Sequence, residues 1–361
     1  MDNNIIVNAL RNVKNPTNGI DIITSKMIED FKIQGESIFF TLILPGNDGQ
    51  LKSSLHEACM SAIVAFYPNA DVNIHFKSKH DDGTSNSALP QVKNVIAVAS
   101  GKGGVGKSTV SVNLAVALSK LGYKVGIIDA DLYGPSIPTM LGIHGQRPKV
   151  ELLYGKHKII PIQAHGLHII SIGLIVEPEQ AVVLRGPRLA GLIKQFVSEC
   201  LWPELDYIVV DLPPGTGDVQ LTLVQTVPLT GVVMVTTPQD VAVIDAVKAM
   251  NMFLLDNVNV PILGVVENMS WFTPEELPQN KYYLFGQGGG QKLASSADVP
   301  LLGQLPIVQN VRESGDAGSP VAMDQNSIMG NMFKNLAISV TQLVDNRNAN
   351  HAPTKIVEIS Q

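Results

Sequence analysis

From Val95 onward the chain alternates short apolar runs with longer stretches in which apolar residues recur at helical spacing. Val95–Ala99, Val125–Ile128, Leu167–Ile172, Tyr207–Val210, Gly231–Thr236 and Ile262–Val266 are nearly continuous in apolar side chains, which predicts strands buried on both faces. Between them, Ser108–Lys120, Leu189–Glu199, Val219–Thr226 and Val241–Asp256 carry the helical period. Strand and helix in alternation predict an α/β domain, a mostly parallel sheet with helices on both faces. Upstream, Glu36–Leu44 reads as a strand that ends at Pro45–Gly49, Leu55, Cys59, Ile63 and Phe66 fall at helical spacing, and Val72–Phe76 alternates as a strand. These elements predict a small α+β domain preceding the large one. From Ile328 to Val344 the residues Met332, Leu336, Val340 and Leu343 mark a final helix packed on the large domain.

The segment from His75 to Gln91 is polar, charged and poor in apolar residues, as a linker is. The expected organisation is therefore a small domain over 1–78, a linker over 79–92, a large domain over 93–345 and a disordered tail over 346–361. A chain of 361 residues has room for two such domains. Its net charge of −6 argues against a large basic face for nucleic acid or anionic lipid. Lys334 is the only basic residue in the last apolar helix, whereas membrane-surface helices carry several, so neither nucleic acid nor membrane is an expected partner. No apolar stretch approaches membrane-spanning length, and Met1–Asn4 lacks the basic start of a signal peptide. A cytoplasmic location is expected. Only two cysteines occur, Cys59 and Cys200, each within what reads as an amphipathic helix, and no C-x-x-C pair exists. Both are expected to be buried, as small apolar side chains.

The first strand of the large domain runs directly into Gly101-Lys102-Gly103-Gly104-Val105-Gly106-Lys107-Ser108-Thr109. Glycines at a strand-to-helix turn let backbone N–H groups close on phosphate oxygens, Lys107 can reach the outer phosphates, and the Ser108 hydroxyl can ligate Mg²⁺. A nucleoside triphosphate is the expected ligand. Asp129 and Asp131 end the next strand, at Asp129-Ala130-Asp131-Leu132-Tyr133-Gly134-Pro135-Ser136. One carboxylate there can hold metal-bound water while the other orients a nucleophile. We assign Asp129 to the magnesium shell and Asp131 to the attacking water. Tyr207-Ile208-Val209-Val210-Asp211 is a buried strand that ends in an acid, the pattern that places Asp211 on Mg²⁺ through water. The Gly and Pro residues that follow suit a loop that moves, and the Gly215 N–H is a candidate sensor of the terminal phosphate.

The loop K-G-G-V-G-K-S-T, with its second lysine, resembles the deviant P-loop of the family that includes nitrogenase iron protein, the septum-site and partitioning ATPases and the Mrp-type iron–sulfur carriers. The resemblance implies a homodimer in which Lys102 reaches the nucleotide of the other subunit, so that Lys102, Lys107 and Asp131 form the catalytic set. It also implies that Asn268, in Glu267-Asn268-Met269-Ser270, hydrogen-bonds the base, with Pro306 lining the other side; the lack of an N-K-x-D motif leans toward ATP. D-A-D-L-Y-G-P-S at Asp129–Ser136, L-R-G-P at Leu184–Pro187, Leu205–Leu223 and V-V-E-N-M-S at Val265–Ser270 resemble the Mrp-type carriers in particular, and the likeness runs from Val95 to Val344. The small domain resembles the one known from iron–sulfur assembly factors, through Asp21-Ile22-Ile23 and the strand-helix-strand order.

What this branch implies is an ATP-binding and ATP-hydrolysing homodimer that bridges an iron–sulfur cluster between subunits and passes it to apoproteins, or that works with other assembly factors. The chain departs from the branch where it matters. Carriers commonly place C-x-x-C after E-N-M-S, and here the residues are Trp271-Phe272-Thr273-Pro274-Glu275-Glu276-Leu277-Pro278. The iron–sulfur ligands are thus left unassigned. Cys59, Cys200 or a partner's ligands stand open, and so does an ATPase switch or scaffold that lost the cluster. A third reading, a DNA- or membrane-positioning ATPase, is opposed by the acidic balance and the nonbasic last helix.

Overall fold

The computed structural model describes residues 1–16, 18–44, 49–78, 89–131, 134–153, 155–175, 186–217, 220–221, 224, 226–227, 229–256, 258–274 and 276–351. Two compact units emerge, the first comprising Met1–Ser85, Val150–Ile160 and Leu201–Pro203, the second the remainder.

In the first unit a helix, α1 (Asn3–Leu10), precedes strands β1 (Ile28–Gln34) and β2 (Ser37–Leu44), helix α2 (Gly49–Val64) and strand β3 (Asp71–Ser78). The sheet order is β1-β2-β3, antiparallel then parallel. Ile38, Phe40, Leu42 and Leu44 alternate onto one face of β2 and pack with Leu55, Cys59 and Ile63 of α2 and with Ile6 and Leu10 of α1. Phe66 departs from expectation: α2 stops at Val64, and Phe66 is exposed. The first unit also takes in Val150–Ile160, which a purely contiguous large domain over 93–345 does not foresee.

The second unit opens with β4 (Val92–Ser100), so the last residue of the expected linker is already strand; residues 79–88 lie outside the described residues. There follow α3 (Lys107–Lys120), β5 (Val125–Asp129) and α4 (Ile137–Met140); the chain then forms the paired strands β6 (Lys149–Leu153) and β7 (Lys156–Ile160), which from Val150 on belong to the first unit, and resumes the second with β8 (Ile162–Ala164), β9 (Leu167–Ser171), α5 (Gly186–Ser198) and β10 (Leu205–Asp211). The chain continues through β11 (Gly231–Thr236), α6 (Asp240–Leu254), β12 (Ile262–Glu267), α7 (Gly289–Ser296), β13 (Leu301–Gln304), α8 (Gln309–Asp316) and α9 (Ile328–Asn350). Of the helix expected at Val219–Thr226, residues 220, 221, 224 and 226 are helical and the others include undescribed positions.

Among the described residues the sheet has the order β13-β12-β11-β4-β10-β5-β9-β8, parallel throughout except for β8 at one edge. Ile96 and Val98 of β4 join one core with Val112, Leu114 and Val116 of α3 and Phe333, Leu336 and Val340 of α9. Val95, Ala97 and Ala99, on the other face by alternation, are buried as well, which is why the strands read as unbroken apolar runs. The final helix thus packs on the domain through Met329, Phe333, Leu336, Val340 and Val344, while Met332 and Leu343 are only partly buried. It continues to Asn350, past the Asp345 at which the large domain was expected to end; residues 352–361 lie outside the described residues. Phe333→Ala should cost about 3–5 kcal/mol of unfolding free energy in urea, because the ring is buried in this shared core. A loss below about 1 kcal/mol would mean that α9 is not a structural part of it.

Candidate functional site

The central strands β4, β10 and β5 are parallel and in register so that Asp211 stands level with Val98 on one side and Asp129 on the other. Both acids therefore emerge at the carboxyl end of the sheet, where the chain leaves β4 for the glycine loop, the place at which open α/β sheets bind ligands. The loop spans Gly101–Gly106 and delivers Lys107 as the first residue of α3. Gly106 caps that helix with a left-handed backbone (φ 82°), and a Cβ there would meet the Asn268 amide. At Gly101 a Cβ would collide with the Asp245 and Ala246 backbone of α6, so the loop is pressed against that helix. Gly103 and Gly104 are exposed, Val105 is buried, and Ser108 and Thr109 are half-buried on the first turn of α3.

Four of the expected site residues converge. Lys107 Nζ lies 2.8 Å from Asp211 Oδ2 and 3.4 Å from Asp131 Oδ2, with both ends of each pair almost wholly buried. Ser108 Oγ donates to Asp211 Oδ2 at 2.6 Å, and Lys107 Nζ donates to Ser108 Oγ at 3.3 Å. Asp129 is fully buried behind them; its Oδ2 accepts from Ser171 Oγ (2.7 Å) and its Oδ1 from the Asp131 amide (3.2 Å). That last bond folds the chain just after β5 so that Asp131 turns toward Lys107. Burial first, and the Asp211 charge second, push the Asp129 carboxyl far above the usual range, with Ser171, the Asp131 amide and Lys107 opposing.

One ammonium here faces three carboxyl groups. A polyphosphate entering the loop therefore needs a further cation, and the Ser108 hydroxyl and Asp211 carboxylate are hard oxygen donors of the kind Mg²⁺ prefers. The donor chemistry fits the metal that the sequence implies. Lys102 stands apart from this cluster: it is half-buried, its carbonyl accepts from Ser100 Oγ at 3.0 Å, and its ammonium has no ion-pair partner among the described residues.

On the base side, Asn268 Nδ2 donates to the Val105 carbonyl (2.9 Å), tying the end of β12 to the glycine loop. Pro306 is half-buried on a segment whose neighbours Leu305 and Ile307 pair with Glu267, Ser270 and Trp271. The Gly215 N–H, by contrast, is already committed to the Ser100 carbonyl at 2.9 Å, and Gln220 Nε2 holds the Pro213 and Gly215 carbonyls. Phosphate sensing by that amide would require the loop to release this bond. Leu132, Tyr133, Leu184 and Glu275 lie outside the described residues.

Motif reading missed Ser111, Ser171 and Glu267. Ser111 Oγ lies 2.6 Å from Asp211 Oδ1, and Glu267 is a buried carboxylate that accepts from the Gly290 amide (2.6 Å) and Gln304 Nε2 (2.7 Å). The signal that could have found the serines was positional: Ser111 follows Ser108 by one helical turn, and Ser171 closes the strand beside β5. Cys200 needs correction: α5 ends at Ser198, so this residue lies past the helix rather than within it. Both cysteines are buried, and burial pushes the Cys59 thiol up to about 12. Among the described residues there is no group of three or more His, Cys, Asp or Glu able to hold a metal ion, and no helix is long and apolar enough to cross a membrane.

Comparison with known proteins agrees with this geometry. Residues 91–341 match the NUBPL iron-transfer P-loop NTPase family, and residues 4–76 match the iron–sulfur cluster assembly protein family. The iron–sulfur cluster carrier protein of Synechocystis is 43% identical over 323 residues, 89% of this chain and 91% of the relative. Among solved structures, a nucleotide-binding protein of Archaeoglobus fulgidus in complex with ADP has 37% identity and a TM-score of 0.55, covering 64% of this chain and 88% of its own. The septum site-determining protein MinD of Pyrococcus horikoshii shares the fold, at 24% identity and a TM-score of 0.52 over 71% of this chain and 98% of its own.

Proposed function

Because the chain belongs to the NUBPL iron-transfer P-loop NTPase family, we propose that it is a Mg²⁺-dependent homodimeric ATPase that carries iron–sulfur clusters to apoproteins. The observation that carries the ATPase half is the convergence of Lys107, Ser108, Asp131 and Asp211 on the carboxyl end of β4, β5 and β10. The glycine loop and the first turn of α3 bind the phosphates, and Lys107 takes up charge on the transferred group. Ser108 and Asp211, with Asp129 behind, would hold Mg²⁺, which supplies charge neutralisation at the phosphates when bound. Asp131 orients a water: its oxygen bonds to the terminal phosphorus as the bond to ADP breaks, and the proton leaves with the phosphate. Asn268 and Pro306 border the base, and Lys102 is directed to the partner protomer's nucleotide.

The cluster is cargo, and the described residues do not offer it thiolates. Both cysteines are buried, Cys59 in the first unit and Cys200 in the second. That observation favours a second reading, an ATP switch or scaffold within iron–sulfur assembly whose cluster ligands come from other proteins. Anaerobic reconstitution with iron and sulfide, alongside Cys59→Ser and Cys200→Ser, separates the two. The carrier reading expects a coloured protein with iron and sulfide in stoichiometric amount per dimer, lost in at least one variant. A colourless protein that still hydrolyses ATP moves the function to the switch, and one that neither binds nor hydrolyses ATP sinks both.

A further inference from the structure

Ser111 lies outside the phosphate-loop motif, on a turn of α3 whose Val110, Val112 and Leu114 are all core residues. A wholly buried hydroxyl in such a place requires a hydrogen-bond partner. Two acceptors are within reach, Asp211 Oδ1 at 2.6 Å and the Lys107 carbonyl at 3.1 Å. The hydroxyl has one proton, and the carboxylate, nearer and charged, is the stronger acceptor. Meanwhile Ser108 and Lys107 both approach the other oxygen, Oδ2, at 2.6 and 2.8 Å. The two oxygens of Asp211 are thus divided between successive turns of α3. Oδ1 is held from inside α3, and Oδ2 is presented to the groups that meet phosphate and metal.

Resting on the Mg²⁺-dependent nucleotide binding proposed above, we infer that Ser111 is a positioning residue for Asp211: its hydroxyl fixes the rotation of the carboxylate so that Oδ2 faces the bound metal–nucleotide. Without that bond the carboxylate can turn, and Oδ1 is left in the core without its donor. The effect falls on the metal-dependent part of nucleotide affinity. Phosphate binding by the loop amides and Lys107 does not depend on it. A serine that only bonds back to the Lys107 carbonyl, as helical serines do, has no such selectivity.

The test uses the full chain and a non-hydrolysable ATP analogue, titrated by calorimetry across a Mg²⁺ series and in EDTA. Ser111→Ala should raise the Mg²⁺ concentration for half-maximal affinity gain about tenfold while changing affinity in EDTA less than about twofold, and Ser111→Thr, which keeps the hydroxyl, should stay near the parental values. An unchanged Mg²⁺ dependence in Ser111→Ala, whatever its melting temperature, overturns the inference, as does a folded Ser111→Thr that fails to restore it. Should the alanine variant not fold, Ser111→Cys, of similar size and weaker donor strength, takes its place: a raised Mg²⁺ requirement supports the positioning role, and an unchanged one overturns it. A parental protein whose affinity ignores Mg²⁺ removes the Mg²⁺-ATP reading itself and the positioning role with it, an outcome visible before any variant is made.

Discussion

Lys107→Ala is expected to reduce ATP hydrolysis to the buffer background while the protein keeps its secondary structure. Among the described residues its ammonium is the only cation within the buried cluster, 2.8 Å from Asp211 and 3.4 Å from Asp131. Removing it takes away the charge that must follow the phosphoryl group, and a single preorganised donor of this kind is worth about 10²–10³ in rate. It also leaves the carboxyl groups of Asp129, Asp131 and Asp211 facing one another, which repels the incoming polyphosphate. The second loss has a pH signature. Lys107 is among the groups that hold the Asp129 carboxyl down, so the variant should raise a folded-state pKa that already lies above the unfolded value. A carboxyl raised in this way makes the folded state bind more protons than the unfolded one, so stability falls as pH rises between the two values. The melting deficit of Lys107→Ala relative to the parent should accordingly widen as pH rises through about 8, and stay small and nearly constant at lower pH, where Asp129 is protonated in both folded proteins. Parental turnover in the variant would remove Lys107 from the site, and a deficit that grows on acidification would remove the carboxylate account of its stability.

The parallel strands of the large unit were legible because each is buried on both faces, so Val95–Ala99 and Tyr207–Val210 read as unbroken apolar runs. Their register then places Asp129 beside Asp211, which no local pattern encodes. Strand β1 escaped notice because its ladder is irregular between Glu29 and Lys32, with Asp30 in a left-handed conformation, and a bulge erases the alternation on which strand reading depends. The paired strands β6 and β7 escaped for another reason: Lys149–Leu153 is exposed along most of its length, so it lacks a buried face to print a period. At the site, the glycine loop and its acids were visible as motifs since the chemistry fixes their spacing along the chain. Ser111 and Ser171 were not, because they act by being opposite a carboxylate in three dimensions, and a serine one turn along a helix has no signature of its own. The burial of both cysteines, by contrast, agrees with the expectation that they pack as small apolar side chains.

Lys102→Ala should abolish turnover as completely as Lys107→Ala but for a different reason, and mixing the two inactive proteins should restore activity. Lys102 sits in the same loop, yet its ammonium is not among the groups around Asp211, and it has no ion-pair partner among the described residues. A cation held at the loop with no ion-pair partner among the described residues is available to the phosphates of a facing protomer, as the resemblance to deviant P-loops implies. If it acts there, Lys102→Ala alone leaves nucleotide binding within one protomer nearly intact, while sedimentation in the presence of the ATP analogue shows loss of the dimer. Mixed dimers then make the sharper measurement. In a two-fold dimer of one Lys102→Ala and one Lys107→Ala protomer, the site on the first keeps its own Lys107 and receives Lys102 from the second, whereas the other site lacks both. A mixed dimer has one of its two sites whole, so turnover should return well above that of either variant alone, toward the roughly one quarter of the parental value that unbiased pairing would give. A lysine that serves its own chain gives no complete site in any combination, and a mixture as inactive as its components would end the crossing-lysine assignment.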